Sequence, residues 1–154
     1  ATFTANIVQR FEDVLQSSVL LAAFIPMLMD TGGNAGSQSS TLVIRGIALG
    51  DIESDDLPKI IVKEMLVGIV VGLALAGTNL LRLYHQGVSL PIAVTVCISL
   101  FFTVLLAKVV GGMLPMIAKR FNVDPAIMAS PLITTIVDAA ALTIYFTIAS
   151  SLIL

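Results

Sequence analysis

Residues 60–83, 88–110 and 127–154 are three stretches each apolar and long enough to cross a bilayer. A spanning helix needs about 20 mostly apolar residues. In hydrocarbon its backbone amides must be bonded within the protein. A fourth stretch is less uniform: residues 19–29 are apolar, 30–41 are small and polar, and 42–49 are apolar again. Together they are long enough to span, provided the polar middle faces protein or water rather than lipid. Residues 1–7 read as the tail of a further helix whose start is missing. The expected fold is all-α: a polytopic membrane helix bundle of four full transmembrane helices plus the end of a truncated first one. Residues 1–154 form one transmembrane domain.

Composition agrees. Charged residues make up 12% of the chain and hydrophobic ones 57%, against about 25% charged in soluble domains. A net charge of -2 with no basic stripe excludes nucleic acid as a partner. The single cysteine, Cys97, lies in an apolar run and reads as a small core hydrophobe. One His and one Cys are too few for a zinc site. The chain begins at Ala1 without a signal-peptide pattern, so an upstream segment is expected to be missing.

The connections are short. Residues 45–63 hold Asp51, Glu53, Asp55 and Asp56, with Pro58 marking a helix start. The acidic residues read as a solvated loop. Residues 82–89 form a tight turn, and residues 108–125 hold Gly111, Gly112 and Pro115, expected to break the third span. If the spans alternate, Arg45, Lys59, Lys63, Lys108, Lys119 and Arg120 share one side, and Arg10 and Arg82 the other. The positive-inside rule makes the first side cytoplasmic. The expected location is therefore the cell membrane, multi-pass, with the C-terminus outside.

Two polar stripes carry the chemistry. In the last span Ser130, Thr134 and Asp138 recur every four residues, and Ala141 and Tyr145 continue their face. No cation in that span can pair with Asp138. A carboxylate at mid-bilayer costs about 2.5 kcal/mol or more, so it should face a wet cavity, find a partner on another helix or be protonated. In the polar span Asp30, Asn34, Ser37, Gln38, Thr41 and Arg45 fall within about 100° of arc. Such a row of oxygen ligands suits a hard cation, although interhelical hydrogen bonding is the plainer use of such residues. Arg45 reads as an interface anchor. Gly32 and Gly36, and Gly68 and Gly72, make small faces for close helix packing.

The run Pro26-Met-Leu-Met-Asp-Thr-Gly-Gly-Asn-Ala-Gly-Ser-Gln38, followed by Ser39, Ser40, Thr41 and Leu42, resembles the second transmembrane helix of MgtE-type magnesium channels. Ser130-Pro-Leu-Ile-Thr-Thr-Ile-Val-Asp138, after Asp124-Pro125-Ala126, resembles their last helix. The resemblance covers essentially the whole chain. It implies a homodimer of five-helix protomers in the lipid bilayer, with a pore on the two-fold axis lined by the second and last helices. Asp138 matches the pore aspartate. Ser130 matches a polar position near it, Thr134 a position that offers a backbone carbonyl, and Asn34 the second-helix motif. These four are the expected metal-contacting residues, with Asp30, Ser37, Gln38, Thr41 and Tyr145 lining the pore. The cytoplasmic regulatory domains of the family are absent from this chain.

On that reading the chain conducts Mg2+ into the cytoplasm, holding the hydrated ion between two copies of Asp138. Magnesium dehydrates reluctantly, so gripping it through its waters is cheaper than stripping them. Ca2+ and Mn2+ are expected in the same site. The alternative is an ion-coupled secondary divalent-cation transporter with Asp138 as the coupling site. No phosphate-binding loop is present. An enzyme is not expected: Asp30-Thr31-Gly32 spells an aspartic-protease triplet, but in a chain that reads as helical throughout.

Overall fold

The computed structural model describes Thr4, Asn6, Ile7 and residues 19–153, and of residues 127–130 the backbone alone. Thr4, Asn6 and Ile7 are helical, and Ile7 packs against the core. The rest of the stretch read as the end of a further helix lies outside the described residues, as does Arg10. Four helices follow: α1 (Val19–Leu49), α2 (Leu57–His85), α3 (Leu90–Arg120) and α4 (Pro125–Leu152). A 3-10 turn, Ser54–Asp56, precedes α2. All four are long and apolar enough to cross a membrane.

Each helix begins and ends for local reasons. Prolines stand in the first turn of α2, α3 and α4, where a missing N–H removes nothing. The Asp124 carboxylate accepts from the Ala126 amide at 2.9 Å and caps α4. Gly50, at φ 79°, reverses the chain after α1, and the Asp51 and Ile52 amides return to the Gly46 carbonyl. Lys119 then donates to the Ile52 carbonyl at 2.9 Å, tying the end of α3 to this loop. In the same loop Lys59 and Asp56 form an exposed ion pair at 2.7 Å; such pairs add little stability.

α3 is the central helix and packs along each of the other three. Leu21, Phe24 and Leu28 of α1, Val96, Leu100 and Val104 of α3, and Ile133, Val137 and Phe146 of α4 form the main core. Val43, Ile60 and Met116 form a smaller one at the other end of the bundle. α2 leaves Val62, Leu66, Val70 and Leu73 exposed, as a lipid-facing surface does. The hydroxyls of Thr95 and Ser99, buried on α3, donate back to the carbonyls of Pro91 and Thr95.

The third span does not break where Gly111, Gly112 and Pro115 stand. α3 runs through all three. Pro115 forfeits one backbone bond, that to Gly111, and buried surroundings tolerate this inside a membrane. The glycines serve packing instead: a Cβ on Gly111 would strike the backbone of Gly36, and one on Gly112 would meet Glu64 Cγ at 2.8 Å. Lys108, placed by sequence in a connection, is therefore inside α3 and only 5% exposed.

Gly111→Ala should force α1 and α3 apart and cost about 1–3 kcal/mol, the usual range for overpacking. A Cβ on Gly77 meets nothing, so Gly77→Ala should be neutral or stabilise by about 0.5–1 kcal/mol through helix propensity. Thermal melting of both variants in one detergent checks the contrast.

Candidate functional site

The two polar stripes meet where α1 crosses α4. A Cβ on Gly33 would lie 3.8 Å from the Thr134 methyl, and one on Gly32 would touch Val137. Asp138, the next residue on α4, is thus set beside the glycine turn of α1. Its side chain is partly exposed, and among the described residues nothing forms an ion pair or hydrogen bond with its carboxylate. The threonine hydroxyls of α4 donate within the helix. Thr134 and Thr135 donate to the Pro131 carbonyl at 3.2 and 2.8 Å, and Thr143 donates to Ala139. Pro131 in turn leaves the carbonyl of residue 127 without its helical donor. The side chain of Ser130 lies outside the described residues.

On α1 the Asn34 amide donates to the Asp30 carboxylate at 3.2 Å, one turn away. Asn34, Ser37, Gln38 and Thr41, with Leu42, line an open groove of about 630 Å³ whose remaining wall is Lys108 of α3. Thr41 donates to the Ser37 carbonyl at 2.9 Å. The expected oxygen ligands of α1 therefore do share one surface. Among the described residues no three of His, Cys, Asp or Glu gather into a ready metal cage.

Tyr145 is elsewhere. It is fully buried, and its hydroxyl donates to the Leu21 carbonyl at 2.8 Å, pinning α4 to the first turn of α1. Within the protomer it is a core side chain, away from the exposed Thr143 and Thr147. Gly32 and Gly36 lie against Thr103, Ala107, Ile133 and Val137, and Gly68 and Gly72 against Leu105 and Phe101.

Two charged groups escaped the sequence reading. Glu64 is 4% exposed and accepts from the Ser39 hydroxyl at 2.5 Å, joining α2 to the inner face of α1. Lys108 lies close by, because a Cβ on Gly68, one turn after Glu64, would sit 3.4 Å from Lys108 Cβ. The pattern could have revealed Glu64: Ile60, Glu64, Gly68 and Gly72 fall every four residues on one face. A face made of glycines points inward, and Glu64 goes with it.

Comparison with known proteins bears on what this site does. The MgtE family model, described as a divalent cation transporter, matches residues 25–148. Magnesium transporter MgtE of Thermus thermophilus is 41% identical over 150 residues, covering 97% of this chain and 33% of that protein. The proteins of the same name from Bacillus subtilis and Enterococcus faecalis are 35% and 32% identical, covering 97% and 96% of the chain. The chain thus spans about a third of the length of these relatives.

Tyr145→Phe should lower stability by about 1 kcal/mol, the net value of one hydrogen bond. Glu64→Leu should cost more, since it strands the buried Ser39 hydroxyl as well. Chemical denaturation of the two variants beside the parent protein reads both.

Proposed function

This chain belongs to the MgtE family of divalent cation transporters, and from that premise we propose that its bundle conducts Mg2+ across the cell membrane. It is a multi-pass membrane protein and not an enzyme. In the proposed arrangement two protomers pair about a two-fold axis. The polar face of α1 and the Asp138 face of α4 then line a water-filled path. Asp138 from each subunit holds the hydrated ion, with Thr134, Ser130 and Asn34 supplying further oxygens. Asp30, Ser37, Gln38 and Thr41 extend the polar wall. Tyr145 has no part in it.

The observation that carries this reading is the lone Asp138 carboxylate in mid-helix, with no cation beside it among the described residues. Burying such a charge at mid-membrane costs about 3 kcal/mol. A divalent ion held through its water shell at about 5 Å returns about 6 kcal/mol at an effective dielectric near 20. The cation therefore more than offsets the cost, and a monovalent ion returns about half as much. Two carboxylates on one axis repel each other when the site is empty, which draws in a cation or a proton. An inside-negative potential favours inward flow by about 2.3 kcal/mol per charge per 100 mV, twice that for Mg2+. Ca2+ and Mn2+ would be held by the same oxygens.

Orientation follows from charge. With Lys108 counted as buried, Arg45, Lys59, Lys63, Lys119 and Arg120 remain at one end of the bundle, against Arg82 at the other among the described residues. The richer side is cytoplasmic by the positive-inside rule, so the C-terminus of α4 is outside. Regulation in the cell would come from cytoplasmic domains in a longer protein. An ion-coupled carrier remains the alternative reading, with a fixed ion stoichiometry as its signature.

Mg2+ flux into liposomes carrying the wild-type protein or Asp138→Asn decides the matter. Flux in the wild type and a loss of tenfold or more in the isosteric variant, about 1.4 kcal/mol or more, is the expected result. Equal flux in both would remove Asp138 from the path.

A further inference from the structure

Lys108 is the one charged side chain of α3 that lies inside the bundle; Lys119 and Arg120 sit at the helix end. Among the described residues the only ion pair is Lys59–Asp56, so no carboxylate pairs with the Lys108 ammonium. Its stem packs beside Gly68 of α2. The residue also lines the groove walled by Asn34, Ser37, Gln38 and Thr41. Buried ammonium groups are ordinarily paired, and this one is offered amide and hydroxyl oxygens instead.

Its level in the membrane is fixed by the glycines of α1. A Cβ on Gly36 would stand 3.2 Å from the Ala107 carbonyl and 3.6 Å from Val137. Ala107 precedes Lys108, and Val137 precedes Asp138. The Lys108 and Asp138 backbones thus lie within about one turn of each other along the bundle, roughly 5 Å of rise. They are reached by the two edges of the same polar helix face.

We propose that Lys108 is a tethered cation beside the ion path, and that it sets how tightly the path holds a divalent ion. This rests on the reading of α1 and α4 as the path walls. The ammonium competes for the oxygens of Asn34, Ser37, Gln38 and Thr41 and repels an ion held at Asp138. Conduction requires binding that is firm enough to select and weak enough to release. Coulomb repulsion scales with the product of the charges, so Lys108 acts on Mg2+ twice as strongly as on a monovalent ion. Glu64 tempers this field without cancelling it. It lies beside Gly112, one turn along α3 from Lys108, and its carboxylate is taken by the Ser39 hydroxyl.

The test uses the protein in liposomes with Mg2+ flux measured against external concentration. Lys108→Met keeps the length of the side chain and removes a buried charge. It should lower the half-saturating Mg2+ concentration about fivefold and reduce maximal flux, because a site without the repelling charge releases its ion slowly. Lys108→Gln should move in the same direction, and Lys108→Arg should behave as wild type. A second readout needs no conduction: Mg2+ should protect Lys108→Met from thermal unfolding at lower concentrations than it protects the wild type. Unchanged half-saturation and unchanged protection in Lys108→Met, with Asp138→Asn inactive, would overturn the role of Lys108 alone. Lys108→Arg behaving like Lys108→Met would also overturn it, since the charge would then not matter. Full flux in Asp138→Asn would overturn the path itself, and this role with it.

Discussion

The close approach of α1 and α3 at Gly36 and Gly111 fixes the geometry of everything else. Lipid chains are as apolar as leucine, so burial alone does little to press one membrane helix against another. What remains is dispersion between surfaces that fit, and that rises steeply as backbones come close. At this crossing no side chain intervenes: any Cβ on Gly111 would occupy the place of the Gly36 backbone. α3 can therefore sit between α1, α2 and α4 and contact all of them. Pro115 adds to this by freeing the Gly111 carbonyl within the same crossing.

From that crossing the charged groups follow in order. Gly32 and Gly36 bring Val137, and with it Asp138, against the α1 glycine turn. Gly112 makes room for Glu64, and Gly68 makes room for Lys108. Three ionisable side chains thus reach the membrane interior beside one helix, and each meets different surroundings. Glu64 has a hydroxyl partner and holds α2 to α1. Asp138 has no ion-pair or hydrogen-bond partner among the described residues, which is tolerable only where an ion or water can reach it. Lys108 has a groove of neutral oxygens. A bundle held together by glycines can place charges at such depth because the small residues leave them channels to occupy.

Much of this was legible in the sequence, and the rest was hidden for identifiable reasons. Hydrocarbon thickness dictates span length, so the four helices could be read directly. Asp138 was conspicuous because an acid in an alanine-rich apolar run has no innocent place to go. Lys108 was misplaced because Gly-Gly and a following proline read as a helix end. That rule comes from water, where freed backbone groups are solvated; in a membrane a break is costlier and the glycines become contact points. Glu64 is hard to read from sequence because it falls near the start of α2, among residues that could equally be solvated. Tyr145 lies seven residues after Asp138, so at 100° per residue the two stand only about 20° apart on α4. Two turns on, the same face meets the first turn of α1, where the phenol finds the Leu21 carbonyl.

On α1 residues spaced by four drift by about 40° at each step, which is why that helix works as a wall on two sides. Asp30 and Ser37 lie toward the α4 edge of its polar face, and Gln38 and Leu42 toward the α2 edge, about 80° to 140° further round. One continuous helix can then face a carboxylate along one edge and an ammonium along the other. The Asn34 amide, midway between, donates to Asp30 and lines the groove. A hydrated divalent ion moving along this face would leave an attractive charge and approach a repulsive one within about a helical turn. A wall of neutral oxygens between opposed charges lets the affinity of an ion site be tuned without touching the site itself.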